Sequence, residues 1–266
     1  MLEFFATHQF RASKVPAIGV GFWSIKLLTT AMGEATSDFF VHRFSPPVVV
    51  VVAGLVFAAA LSWQFTRTAY QTLPYWFCVV MVSVFGTMCA DVAHVGLGVP
   101  YVVSTGVFAV TLAVVFVLWY RWEGTLSIHS ITSARRELFY WATVTTTFAL
   151  GTATGDMTAI TLHLGYFSSG LLFTGLIVVP GVAYRLAGFN AVAAFWTSYV
   201  LTRPLGASYA DWLGVSRARD GLNWGPGNVS LMFSLAIVIG VLALDRAERS
   251  RSKTTPIGSQ RARDLR

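Results

Sequence analysis

Four aspartates stand in one repeated frame. Asp38, Asp91, Asp156 and Asp211 each lie fifteen residues after a tryptophan (Trp23, Trp76, Trp141, Trp196) and five after a glycine (Gly33, Gly86, Gly151, Gly206). An aromatic residue precedes each tryptophan: Phe22, Tyr75, Tyr140 and Phe195. Four ungapped copies make an internal repeat, and a repeat governs every later reading of a chain. Carboxylates gathered at one level attract cations or exchange protons, because like charges held close cannot all ionise without cost. His42 and His94 follow their aspartates by about one helical turn, and His163 follows Asp156 by about two. Carboxylate and imidazole together suit Mn, Fe, Co, Ni or Zn, so these histidines are possible metal ligands.

The frame must be helical to bring these groups together. At 100° per residue, the tryptophan and the positions 4, 7, 11 and 15 after it share one face. The first copy places Trp23, Leu27, Thr30, Glu34 and Asp38 there, and the fourth places Trp196, Val200, Arg203, Ala207 and Asp211. Polar groups collect on this stripe and each stripe ends in an aspartate. Glu34 therefore joins the aspartates as a candidate lining of a solute path. Lys26 and Arg203 are the basic groups of the same helices. A Glu34–Arg203 pair would join the first copy to the last, as a structural tie or, less simply, a coupling switch. A small residue follows each glycine by four (Ser37, Ala90, Gly155, Ala210), the spacing of close helix packing. The tryptophans are expected to be membrane-interface anchors, with a gate as the alternative.

Composition sets the environment of these helices. Of 266 residues, 55% are hydrophobic and 12% charged, against about a quarter charged in soluble domains. Apolar runs near 16–41, 48–65, 74–95, 101–120, 138–164, 168–184, 189–213 and 229–244 predict eight membrane spans. The fold class is an all-α polytopic bundle, built as four parallel two-helix repeats with pseudo-rotational symmetry. The first helix of each repeat is expected inside and the second outside, since the second carries no charge that lipid would penalise. One membrane domain covers 1–247 (repeats near 15–67, 73–121, 137–185 and 188–247), and 248–266 reads as a basic, disordered tail.

Lys and Arg concentrate in the N-terminal segment, the even-to-odd loops and the tail, which predicts both termini in the cytoplasm. The same distribution explains the net charge of +7 without nucleic acid. Cys78 and Cys89 stand three turns apart in one span and cannot bridge. Met1 to Lys14 lacks a signal-peptide pattern, so none is expected. No hydrolase, phosphate-loop or dinucleotide motif occurs, so neither an enzyme nor a cofactor is expected.

The four copies, with Lys14-Val15-Pro16, Gly33-Glu34-Ala35, Glu123 to Ser130 and Arg203-Pro204-Leu205-Gly206, resemble a bacterial family of uncharacterised membrane-anchored proteins. That family carries four tandem two-span repeats of unknown function. The resemblance implies eight spans and the bacterial inner membrane, and brings no activity with it. Two functions follow from the residues themselves. One is a transporter or exporter of a small cationic solute or metal ion along the aspartates. The other is a non-transporting scaffold or sensor in which the aspartates are structural. Oligomeric state stays open.

Overall fold

The computed structural model describes residues 13–254. Eight long helices account for nearly all of them, and no strand occurs among the described residues. They are α1 (Val20–Arg43), α2 (Pro46–Phe65), α3 (Thr72–Asp91), α4 (Tyr101–Glu123), α5 (Ala134–Asp156), α6 (Tyr166–Ala187), α7 (Ala191–Gly214) and α8 (Pro226–Thr254). Their ends follow local chemistry. Pro46 and Pro47 open α2, where a missing N–H costs nothing. Gly124 ends α4 at φ 69°, a left-handed conformation that favours glycine. The Asn190 side chain accepts from the Val192 and Ala193 amides at 2.9 and 3.1 Å and so caps α7.

The odd-numbered helices form a closed inner ring, in which α1 packs on α3, α3 on α5, α5 on α7 and α7 on α1. The outer helices are handed on. Helix α2 packs chiefly on α3, α4 on α5, α6 on α7, and α8 returns to α1. Each hairpin thus lends its second helix to the next repeat, and the last closes the circle on the first. Five helices are long and apolar enough to cross a membrane: α2, α3 with its extension to Gly96, α4, α6 and α8. The outer helices expose Val51, Leu55, Val110, Val117, Val178 and Ile239. A soluble protein would not present such faces in every direction. The inner helices α1, α5 and α7 are as long, and their polar stripe is enclosed. These features define a membrane-spanning helical bundle.

Helix boundaries shift from the sequence reading, and three of the shifts bear on the interior or the ends of the bundle. Helix α1 starts at Val20, since residues 13–19 run extended against the end of the bundle, with Lys14 N donating to Ile131 O. Helix α5 starts at Ala134, capped by Ser133, and this takes Glu137 out of the loop and into the interior. Helix α8 continues to Thr254, so the first part of the expected disordered tail is helical. Arg249 pairs with Asp245 one turn away, and Glu248 accepts from Thr72 Oγ1 at 2.6 Å, which ties that extension to α3. The rest of the tail, and Met1 to Ala12 of the opening segment, lie outside the described residues.

Candidate functional site

The interior of the ring is built in layers, and the repeat glycines set their spacing. A Cβ on Gly33 would stand 2.6 Å from Ser83 Oγ, and one on Gly86 2.5 Å from Phe148 Cβ. At Gly151 it would collide with the Arg203 side chain, and at Gly206 with Thr30. Thr30, Ser83, Phe148 and Arg203 occupy the same position of the four copies. Each copy's glycine is therefore a hole for the next copy's side chain, and the fourth receives the first. This is close packing of the kind small residues permit in membranes.

The aspartates lie at the end of the ring opposite the chain termini. Asp211 is buried, and Asp38, Asp91 and Asp156 are half-buried, so this end of the ring is less enclosed than the layers around Glu34 and Arg203. Every pair among the four carboxyls interacts electrostatically, and all four interact with Glu34 below them. Ser37 Oγ of α1 donates to Asp91 Oδ2 of α3 at 2.9 Å across the helix interface. After Asp91 and Asp156 the helices widen into π turns, Val92–Gly96 and Met157–Thr161, whereas α1 and α7 continue without one. Such turns are frequent at functional sites.

Arg219, in the connection between α7 and α8, stands at this mouth. Its guanidinium donates to Tyr166 OH at 2.6 Å and acts electrostatically on Asp38, Asp156 and Asp211. The connection is held down by a ladder of backbone bonds, among them Leu222 N to Trp212 O at 2.7 Å and Trp224 N to Leu213 O at 3.0 Å.

Beneath the aspartates the ring is closed by one buried arginine. Arg203 Nη2 lies 3.0 Å from Glu34 Oε2 and donates to Thr152 Oγ1 at 2.8 Å and to Thr87 Oγ1. Its Nη1 donates to Thr30 O at 2.8 Å, and Thr152 Oγ1 donates to Glu34 at 3.0 Å. Glu34, Thr87, Thr152 and Ala207 are equivalent positions. Ala207 is the smallest of them, on the same helix as the arginine that fills this layer. Lys26 is one layer further in and fully buried. Its Nζ has no hydrogen-bond partner among the described residues and sits 4.0 Å from the Phe148 ring centroid and 4.3 Å from that of Tyr199.

The tryptophans close the terminal end, and here the interface-anchor expectation is corrected. Trp76, Trp141 and Trp196 are 1%, 2% and 5% exposed, and only Trp23 is half-buried. The reason is an interlocking collar in which the aromatic before each tryptophan packs on the tryptophan of the next repeat. Phe22 meets Trp76 at 5.9 Å, Tyr75 meets Trp141 at 5.7 Å, Tyr140 meets Trp196 at 6.3 Å, and Phe195 meets Trp23 at 5.7 Å. The Tyr75 and Tyr140 hydroxyls are 2.5 Å apart inside the collar.

The sequence reading missed a second buried ion pair below that collar. Lys14 Nζ bonds Glu137 Oε2 at 2.6 Å, and Gln64 Nε2 donates to Glu137 Oε1 at 2.9 Å. The loop from α4 to α5 folds under the same end, with Ile128 and Ile131 buried and Leu126 O accepting from Trp196 Nε1 at 2.9 Å.

The histidines do not join the aspartates as a metal centre. Among the described residues no three His, Cys, Asp or Glu side chains are placed to hold one metal ion. His42 is exposed and its Nδ1 bonds the Asp38 carbonyl at 2.7 Å. His94 is buried against Tyr101, with Nδ1 3.2 Å from Ser104 Oγ. His163 lies exposed in the turn before α6, at φ 55°.

A closed ring of four two-helix repeats, with enclosed polar layers and an apolar exterior, defines a polytopic membrane protein with internal rotational pseudosymmetry. Residues 74–125, 139–188 and 194–250 match the family model described as Repeat of Unknown Function (DUF347). The match covers more than half of the chain, which therefore belongs to that family. The first copy falls outside the matched residues, although its helix, glycine and aspartate occupy equivalent places in the ring. No curated protein and no solved structure matches the chain.

Proposed function

We propose that the protein moves a small cation across the bacterial cytoplasmic membrane, through the vestibule formed by Asp38, Asp91, Asp156 and Asp211. The observation that carries this reading is geometric: four carboxyls, one from each inner helix, stand at the same end of the closed ring, with Ser37 Oγ bonded to Asp91 across the α1–α3 interface and Glu34 buried beneath them. Intramembrane ionisable groups mark solute or ion paths by default. The excess of acid over base in the upper layers favours positive charge. The excess of Lys and Arg in the loops at the terminal end supports a cytoplasmic position for that end, with the aspartates towards the outer face.

The available donors are carboxylate and hydroxyl oxygens, the chemistry of hard cations such as Mn2+ and Mg2+. Since no three ligands close on one point, the cation enters with water still bound. The Arg203–Glu34 layer and the aromatic collar then form the barrier that must open for passage, and Lys26 lies between them. The scaffold reading differs in one respect: it makes the aspartates necessary for assembly only.

A strain lacking the gene, challenged with a panel of metals and organic cations, separates the two. Transport predicts a phenotype for a specific cation, restored by the wild type and not by Asp211→Asn at equal membrane abundance. Full restoration by the aspartate variants, or loss that simply follows protein level, supports the scaffold.

A further inference from the structure

We propose that a groove at the seam between the first and last repeats binds an anionic phospholipid of the leaflet at the terminal end. The groove has a volume of about 820 Å3 and lies between α1, α6, α7 and the α4–α5 loop. Trp23, Leu27, Ile177 and Phe195 form its apolar wall, and Arg185 and His129 stand at its polar end.

Four observations select this occupant. The groove is bounded by α6, whose Val178, Val182 and Leu186 are exposed to the membrane, so its apolar wall is accessible to acyl chains. No acidic residue lines it. Arg185 and His129 make no hydrogen bond or ion pair with any described residue, whereas Arg135 and Arg136 are both held by Glu123. A phosphate diester offers an arginine two acceptor oxygens at once. Basic pockets between membrane helices on the cytoplasmic side are where anionic headgroups settle.

A further observation is a break in symmetry. Three repeat tryptophans are covered by protein, and the fourth, Trp23, is half-buried and lines this groove. The collar is thus less covered at the seam where the chain's two ends meet. An acyl chain against Trp23 and Phe195 supplies the missing cover. Gly181 keeps the floor open, since a Cβ there meets nothing within 4 Å.

The test is native mass spectrometry of the full chain in neutral detergent, with equal dioleoyl phosphatidylglycerol and dioleoyl phosphatidylcholine. The wild type is expected to retain phosphatidylglycerol in about tenfold excess, of the order that one or two headgroup charges provide. Arg185→Gln with His129→Gln should bring the ratio close to one. Gly181→Leu, which adds bulk to the groove without altering charge, should reduce retention of both lipids. Equal retention by the wild type, an unchanged ratio in the double variant, or equally tight capture of soluble glycerol phosphate would overturn the proposal.

Discussion

Arg203 of the fourth repeat lies 3.0 Å from Glu34 of the first, with both side chains enclosed at the centre of the ring. The pair joins the two ends of the repeat array across the α1–α7 interface. Thr87 and Thr152, from the two remaining repeats, also accept from its Nη2, so all four copies meet on one guanidinium, although its buried Nε has no partner among the described residues. The places equivalent to Glu34 in the middle repeats hold hydroxyls, and one ion pair serves the whole layer.

Removing one partner leaves an uncompensated charge in the interior. Glu34→Gln or Arg203→Gln is expected to cost about 3–5 kcal/mol. Glu34→Gln combined with Arg203→Met should recover part of that loss. Thermal unfolding of the purified variants in detergent checks the order, and additive losses in the double variant would contradict it.

The repeat glycines should be graded by what their missing Cβ would meet. At Gly206 the obstacle includes the Ala31 backbone nitrogen at 2.9 Å, which cannot rotate away. Gly206→Ala should lower stability by about 1–3 kcal/mol or prevent folding. Gly175→Ala, whose Cβ meets nothing within 4 Å, should stay within about 0.5 kcal/mol of wild type. Fluorescence-detected gel filtration after graded heating reads both.

Lys14 and Glu137 form the second enclosed pair, and Gln64 holds the carboxylate from the other side. Lys14→Met alone should cost about 3–5 kcal/mol, because it takes the counter-charge away from the buried Glu137 carboxylate. Lys14→Met with Glu137→Leu should be far less damaging. A double-mutant cycle on melting temperature measures this, and a coupling energy near zero would show the pair to be incidental.

Arg219 faces the acidic mouth and is fixed to Tyr166 at 2.6 Å. Removing its charge strengthens the field that a cation meets. Arg219→Gln should tighten Mn2+ binding by about two- to fivefold, the scale of a solvent-exposed charge interaction. Calorimetric titration of the purified protein gives the comparison, and weaker binding in the variant would reverse the assigned sign.

The inner ring could be read from sequence because charge is excluded from lipid. Glu34, Arg203 and the aspartates all fall on one helical face, and the outer helices carry no such face. The handing-on of α2 to α3 was not legible, since an evenly apolar helix does not specify which neighbour it covers. Glu137 looked like loop because Arg135 and Arg136 precede it, yet Ser133 starts the helix before them. The tryptophans at a membrane depth suited to anchors pack inward as a collar, and the two arrangements differ only in rotation about the helix axis. His163 follows its aspartate in sequence, but the π turn at Met157–Thr161 ends the helical phase and leaves it outside.

Cation flux into sealed proteoliposomes is the most direct measure of what the four carboxyls do. With purified wild type, entry of Mn2+ or another cation from the panel should exceed that of empty vesicles. Asp38→Asn, Asp91→Asn, Asp156→Asn and Asp211→Asn should each reduce it at least tenfold while unfolding at close to the wild-type temperature. Flux that persists with all four aspartates replaced would contradict the account.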